Sequence, residues 1–426
     1  MDVRDLLASA RGIRRSWFRQ THLILLTWIL CPASLLSMPQ AASAASLEEI
    51  EKLLRYRQGA YVANCVSTSD CTEEAKSLAN AINDRNWWVP GVTSCKGSNT
   101  FAEVQACRLI RLGDNLALGH FSEVTHESDQ LPASLQTVID QYLPPNIAAL
   151  AKAVGNSSEE KVAGHIALSD IEDGVLLADT WPKIPVIING QNSKVLLDTG
   201  SSVTIISTRD AQRLGVKLLG GMGHARSYYG KGNEPVQWGI LNELEITGSR
   251  FNDVLVRVGG QMSMLGLDMM LRVNSLLIDH DRVEFNLSSA ALTDRFDHCV
   301  APVKWSSDFL RSNQSIYVEA IIAGKPRPVG IDTGSMFELF TPIPLFGSDH
   351  PSATKPMWDV SGLRAVNQRT YQTDVTLHQR KYPMELSVLK DATPLAPFVL
   401  GWPAFDKLSL LLDNQAKKGC LLDAPN

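Results

Sequence analysis

The sequence predicts two structural classes in one chain: an N-terminal all-α, disulfide-bonded domain, then an all-β region that carries the same pattern twice. Three observations predict this. Apolar residues recur at helical spacing behind capping-box signatures up to about residue 154; beyond that the texture changes to short β-branched runs broken by Gly, Asn and Asp; and within the β-rich region a twelve-residue pattern recurs at an offset of 134 residues. At 426 residues the chain has length for two or three domains. Its apolar fraction of 44%, charged fraction of 20% and net charge of -5 exclude a disordered, collagenous or multi-span membrane protein. They also provide no electrostatic footprint for nucleic acid.

Residues 1–44 read as an export signal. Five Arg against two Asp precede the 14-residue apolar stretch Leu23–Leu36, which is too short to span a bilayer and contains Pro32. Ala42-Ser43-Ala44 then offers small residues for cleavage, although the long basic segment leaves an uncleaved anchor open. No other stretch is apolar enough to span, so the expectation is an exported, periplasmic or secreted protein without a stable membrane span. Cys31 leaves with the signal. Six cysteines remain, Cys65, Cys71, Cys95, Cys107, Cys299 and Cys420, and an even number in an exported chain favours disulfides. Six allow 15 connectivities; because four cluster and two lie far downstream, 65 with 71, 95 with 107, and 299 with 420 is the simplest assignment. No C-x-x-C pair exists and no His stands at ligand spacing from a Cys, so no metal is expected.

Residues 45–160 form the helical domain. Ser46-Leu-Glu-Glu49 and Thr100-Phe-Ala-Glu103 have the capping-box form, and Ala75, Leu78, Ala79 and Ile82, like Leu135, Val138, Ile139 and Tyr142, make apolar stripes that read as core. Residues 45–170 carry a net charge of -6, against -2 for residues 171–426. Gly155-Asn-Ser-Ser-Glu-Glu160 reads as a linker.

The chemistry lies in the repeat. Gly190-Gln-Asn-Ser-Lys-Val-Leu-Leu-Asp198-Thr-Gly-Ser201 is echoed by Gly324-Lys-Pro-Arg-Pro-Val-Gly-Ile-Asp332-Thr-Gly-Ser335. Downstream, Met264-Leu265-Gly266 is echoed by Val399-Leu400-Gly401, and Leu277-Ile278-Asp279 by Leu411-Leu412-Asp413, at offsets of 135 and 134. One Asp-Thr-Gly is weak evidence; two, each preceded by an apolar strand and followed at matching distance by an apolar-apolar-Gly, are strong. Gly-rich phosphate binding and a serine hydrolase are disfavoured, since neither a P-loop, a G-x-G-x-x-G nor a G-x-S-x-G is present.

At these residues the chain resembles the aspartic peptidases, more closely the retropepsin-like bacterial and retroviral kind than pepsin. The resemblance covers residues 180–423 and none of the helical region. It implies an all-β bilobal fold with pseudo-twofold symmetry, the first lobe over 175–292 and the second over 300–426, so that both Asp loops meet within one polypeptide. Asp198 and Asp332 are then the catalytic pair, sharing one proton because two close carboxylates cannot both ionise cheaply. Thr199 and Thr333 are expected to cross the axis to the opposite loop's backbone, and Gly200 and Gly334 to permit close approach. Ser201 and Ser335 are expected to donate their hydroxyls to the outer carboxylate oxygens, and Gly266 and Gly401 to brace the loops. The first flap is expected around Gly221, Gly223, Tyr228 and Tyr229; for the second lobe, Trp358–Tyr371 is the nearest candidate. Trp402-Pro403 after Gly401 departs from Leu267-Asp268 after Gly266. The implied function is peptide-bond hydrolysis on a peptide or protein substrate, without a cofactor and without nucleic acid, with a protein partner conceivable through the helical domain. The rival is a catalytically idle peptide-binding or scaffold protein that keeps both lobes for shape.

Overall fold

The computed structural model describes residues 101–139, 143–144, 147–154, 158–168, 181–226, 233–307, 314–343, 353–359, 362–389, 392 and 396–425. The export signal, the first helical stripes, Cys65, Cys71, Cys95, Tyr228 and Tyr229 lie outside these residues. The structure is mostly β-sheet with few helices. Among the described residues four helices, Phe101–Leu118, Phe121–Asp129, Ala133–Ile139 and Ile147–Val154, come first, and their buried faces are Leu109, Leu112, Phe121, Val124, Leu135, Ile139 and Ile147. No helix among the described residues is long and apolar enough to cross a membrane.

Each half of the repeat builds one eight-stranded sheet. In the first, Lys183–Ile188 pairs antiparallel with Gln191–Leu197, which lies parallel to Met264–Leu265. In the second, Gln314–Ile322 pairs antiparallel with Lys325–Asp332, which lies parallel to Phe398–Gly401. Both strands leading to an Asp loop start exposed and end buried, Val195–Leu197 in one and Val329–Asp332 in the other. The apolar end of each strand therefore carries its loop into the interior.

A six-stranded sheet joins the halves. Ser275–Ile278 pairs antiparallel with Leu408–Asp413, with Leu277 opposite Leu411 and Ile278 opposite Leu410. Leu277 and Leu411 are also repeat equivalents at the offset of 134, so the pseudo-twofold axis passes between them. Leu276, Ile278, Leu410 and Leu412 belong to one core that continues into both lobes. Cys299 and Cys420 are joined by a disulfide with Cα atoms 5.7 Å apart, at the edge of this sheet where Pro302 pairs with Cys420.

Two stretches differ from expectation. Glu159–Glu160, read from composition as linker, pairs with Phe251 and Arg250 of the first-lobe sheet, and Gly164–Ala167 adds a strand to the central sheet beside Arg282–Phe285. Gly, Asn and Ser report weak local propensity, whereas these strands are held by the open sheet edges they cover. Trp402–Asp406, with Pro403 in its first turn, is a 3₁₀ turn where the first lobe has the helix Leu267–Met270.

Candidate active site

The two Asp-Thr-Gly-Ser loops meet at the axis. Thr199 Oγ1 donates to Ile331 O at 2.9 Å and accepts from Thr333 N at 3.0 Å; Thr333 Oγ1 donates to Leu197 O at 2.6 Å and accepts from Thr199 N at 3.0 Å. The four bonds form a twofold set between fully buried side chains. A β-carbon built on Gly200 would lie 2.4 Å from Asp332 Cγ, and one on Gly334 would lie 2.6 Å from Asp198 Cγ. Each glycine thus lies against the opposite carboxyl group, at a distance only a residue without a side chain can accept.

Backbone donors hold the carboxylates. Asp198 Oδ1 accepts from Gly200 N at 2.8 Å and Ser201 N at 3.1 Å, and Asp332 Oδ1 accepts from Gly334 N at 3.0 Å. The Ser201 hydroxyl does not take the expected role: its Oγ gives its one proton to Val203 O at 2.8 Å. Ser335 Oγ accepts from Phe337 N at 3.3 Å, and the backbone N–H groups of Gly334 and then Ser335 favour the Asp332 charge. The tight turn after each Asp places backbone N–H groups at the carboxylate oxygen.

Burial raises both carboxyls. Asp332 is held well above the usual carboxylate range, first by burial, then by the charge of Asp198 and the hydrogen bond between them. Asp198 is also raised by burial, against the lowering effect of the Asp332 hydrogen bond and the Gly200 and Ser201 donors. Two buried, hydrogen-bonded carboxyls that are both raised favour one proton and one charge shared between them.

The later glycines lock the loops from behind. A β-carbon on Gly266 would fall 2.5 Å from the Val203 carbonyl carbon, and one on Gly401 would fall 2.1 Å from Phe337 O. The residues after them bond symmetrically: Leu267 N donates to Ser201 O at 2.8 Å, and Trp402 N to Ser335 O at 2.7 Å.

The strands of the first lobe where the flap is expected, Lys217–Arg226 and Asn233–Ile246, form a hairpin with register shifts around Gly220. Gly220 and Gly221 have φ of +77° and +71°, and Gly223 is pressed against Arg257, 2.8 Å from its Nη1 to a built β-carbon. In the second lobe, Ala353–Asp359 and Gly362–Leu377 pair as a hairpin from Ala353 opposite Gln368 to Asp359 opposite Gly362.

Sequence reasoning missed three features. Thr204 Oγ1 donates to half-buried Asp268 at 2.8 Å and accepts from Gly266 N, a brace whose twin positions hold Glu338 and Pro403. Arg257 stacks over Trp238 at 3.5 Å, its guanidinium pushed down to about 9 by burial. Leu116, Phe121 and Leu143 of the helical region face Val203, Ile205 and Trp238 across a cavity of about 130 Å³, so helical residues border the first lobe just beyond its Asp loop. The Asp of Leu267-Asp268 was the available signal for the first of these. The other two are contacts between distant segments that leave no local pattern.

Residues 184–272 match the family described as gag-polyprotein putative aspartyl protease. The resemblance to retropepsin-like aspartic peptidases, drawn from the paired motifs, is thus found independently in the first lobe. Solved structures similar to the chain include a retropepsin-like aspartic protease from Rickettsia conorii, at 27% identity over 30% of this chain and 94% of that one, with a TM-score of 0.24. Another is the EIAV protease complexed with the inhibitor HBY-793, at 22% identity over 24% of this chain and 91% of that one, with a TM-score of 0.18. No curated protein matches the chain.

Proposed function

We propose that the chain is an aspartic endopeptidase whose single active site is formed by Asp198 and Asp332 of one polypeptide. The observation that carries this is the seating of each loop's glycine against the other loop's carboxyl group, which brings the two acids together at the axis. Asp198, ionised, takes a proton from a water held between the pair, and the water oxygen attacks the scissile carbonyl carbon. Asp332, protonated, donates to the developing oxyanion, and collapse of the tetrahedral intermediate with proton return to the leaving amine breaks the C–N bond. The disulfide between Cys299 and Cys420 supports an oxidising compartment, consistent with export. The acidic balance of the helical region supports an accessory role rather than a basic inhibitory segment that pairs with the active-site carboxylates.

The test is peptide digestion by the wild type beside Asp198→Asn and Asp332→Asn. Each variant should lose at least about 1,000-fold in kcat/KM, since neither half-site alone can move both protons. A mixture of the two variants should stay inactive. Wild-type protein that binds a statine-type peptide yet cleaves nothing would favour the idle peptide-binding alternative, and strong activity in the mixture would place the site between chains.

A further inference from the structure

Each lobe serves as a measure of the other, and beside the Asp loops they differ. The offset of 134 sets Trp181 against Ser315, Lys183 against Tyr317 and Leu196 against Gly330. The strand registers agree, because Lys183 lies opposite Leu196 and Tyr317 lies opposite Gly330. In the first lobe Trp181 and Leu196 are buried together with Ile205 and Met264, so the space next to that strand is filled. In the second lobe the two large residues are replaced by Ser and Gly, and a cavity of about 350 Å³ stands there.

This cavity reaches the proposed chemistry directly. Its lining includes Thr199, Gly200 and Asp332 at one end and Tyr317, Pro328 and Pro397 along its walls, with Gly330 beneath. A β-carbon on Gly330 would approach Ala396 Cβ at 3.2 Å and Val399 Cγ2 at 3.6 Å, so a side chain there needs Ala396 to yield by a few tenths of an ångström and would take up the space the glycine leaves. Ile316, Pro328, Ala396, Pro397 and Val399 give the lining its apolar part, Ser315 and Tyr317 add hydroxyl groups, and exposed Glu319 is engaged by Lys304 at 3.4 Å.

We propose that this cavity receives a large apolar side chain, aromatic or long aliphatic, from the substrate residue on the second-lobe side of the scissile bond. Among the described residues, the equivalent place on the first-lobe side is filled by Trp181 and Leu196. Selectivity is therefore one-sided, with Ser315 and Gly330 as its determinants. This rests on the peptidase reading, and it adds which flanking residue is selected and why. Burying one large apolar side chain predicts about a 10- to 100-fold preference in kcat/KM for phenylalanine or leucine over alanine at one flanking position, and less than about threefold at the other.

The experiment uses the full exported chain with peptides varied at the two residues flanking the cleaved bond, and statine-type peptides carrying a benzyl or a methyl group at each of those positions. Gly330→Leu restores the residue of the first lobe and should reduce the preference to below about threefold; Gly330→Ala, which adds one methyl group, should reduce it partly and serves if the larger variant does not fold. A wild type without preference at either position, equal preference at both, or a preference unchanged in the folded Gly330 variants would overturn the proposal. If no peptide is cleaved, the peptidase reading fails by itself and binding decides the pocket. Tighter binding of the benzyl peptide that is lost in Gly330→Leu would support it, and equal binding of benzyl and methyl peptides would overturn it.

Discussion

Replacing Thr333 with valine keeps the shape of a fully buried side chain and deletes one oxygen. That oxygen donates to Leu197 O at 2.6 Å and accepts from Thr199 N at 3.0 Å, so the change strands a carbonyl and an N–H of the opposite loop at once. A buried polar group left without a partner costs about 1–3 kcal/mol, which makes the expected loss for the two groups about 2–6 kcal/mol, a large share of the 5–15 kcal/mol typical of a folded domain. Equilibrium unfolding in urea should show this as a lower midpoint at unchanged slope. Twofold symmetry demands a similar loss from Thr199→Val, whose hydroxyl makes the mirror-image pair of bonds. The double variant should cost less than the two singles together, because the first deletion already loosens the shared contact. A loss below about 0.5 kcal/mol in either single variant would mean that the crossed bonds do not hold the two Asp loops together, and the reasoning from them would fail.

Both carboxyls are raised above their ordinary value of 3.8, so both limbs of the kcat/KM profile should lie above about pH 4; an alkaline limb below that would refute the assignment. A raised folded-state pKa means that the folded form binds more protons, so stability is greatest below the ordinary carboxylate range and falls as pH rises through the folded value of Asp332; Asp332→Asn should flatten that fall in a pH series of thermal unfolding. Ser201→Ala should leave the pH profile unmoved, because its hydroxyl is committed to Val203 O. Gly200→Ala puts a methyl group 2.4 Å from Asp332 Cγ and should cut kcat/KM by about 100-fold with circular dichroism unchanged, so a loss within threefold would contradict the close approach. Removing the disulfide across its sequence separation of 121 with Cys299→Ala and Cys420→Ala should cost at most about 4–5 kcal/mol in denaturant unfolding, and no change in midpoint would argue against any constraint by the bridge. Deleting residues 45–157 should leave short-peptide turnover within about threefold while weakening cleavage of a protein substrate; a many-fold gain would mark the helical region as inhibitory.

Whatever repeats or is chemically singular was legible in the sequence. The strand endings Val-Leu-Leu-Asp198 and Val-Gly-Ile-Asp332 announce two buried carboxyl loops, because apolar residues at the end of a strand draw the next turn inward. The glycines announce a close approach, but their partner, the opposite carboxyl group, appears only once the chain is folded. Ser201 misled because its type permits a hydroxyl bond to the carboxylate, whereas the turn geometry supplies the backbone N–H first and turns the hydroxyl to Val203. Glu159–Glu160 misled because pairing at a sheet edge needs a free neighbour more than it needs propensity. The difference between Leu196 and Gly330 was already present in the aligned repeat, and it took the cavity beside Gly330 to reveal what the missing side chain leaves open.

Leu277 opposite Leu411 has a consequence for how the molecule can vary. In an enzyme assembled from two identical chains every substitution is made twice, so a change that suits one side of the cleft is imposed on the other. Here the two halves are stitched into one sheet by Ser275–Ile278 and Leu408–Asp413 and remain neighbours at any dilution, with no association equilibrium to satisfy. Each half is therefore released from having to match a copy of itself. One half can keep a filled wall at Trp181 and Leu196 while the other hollows out the same place.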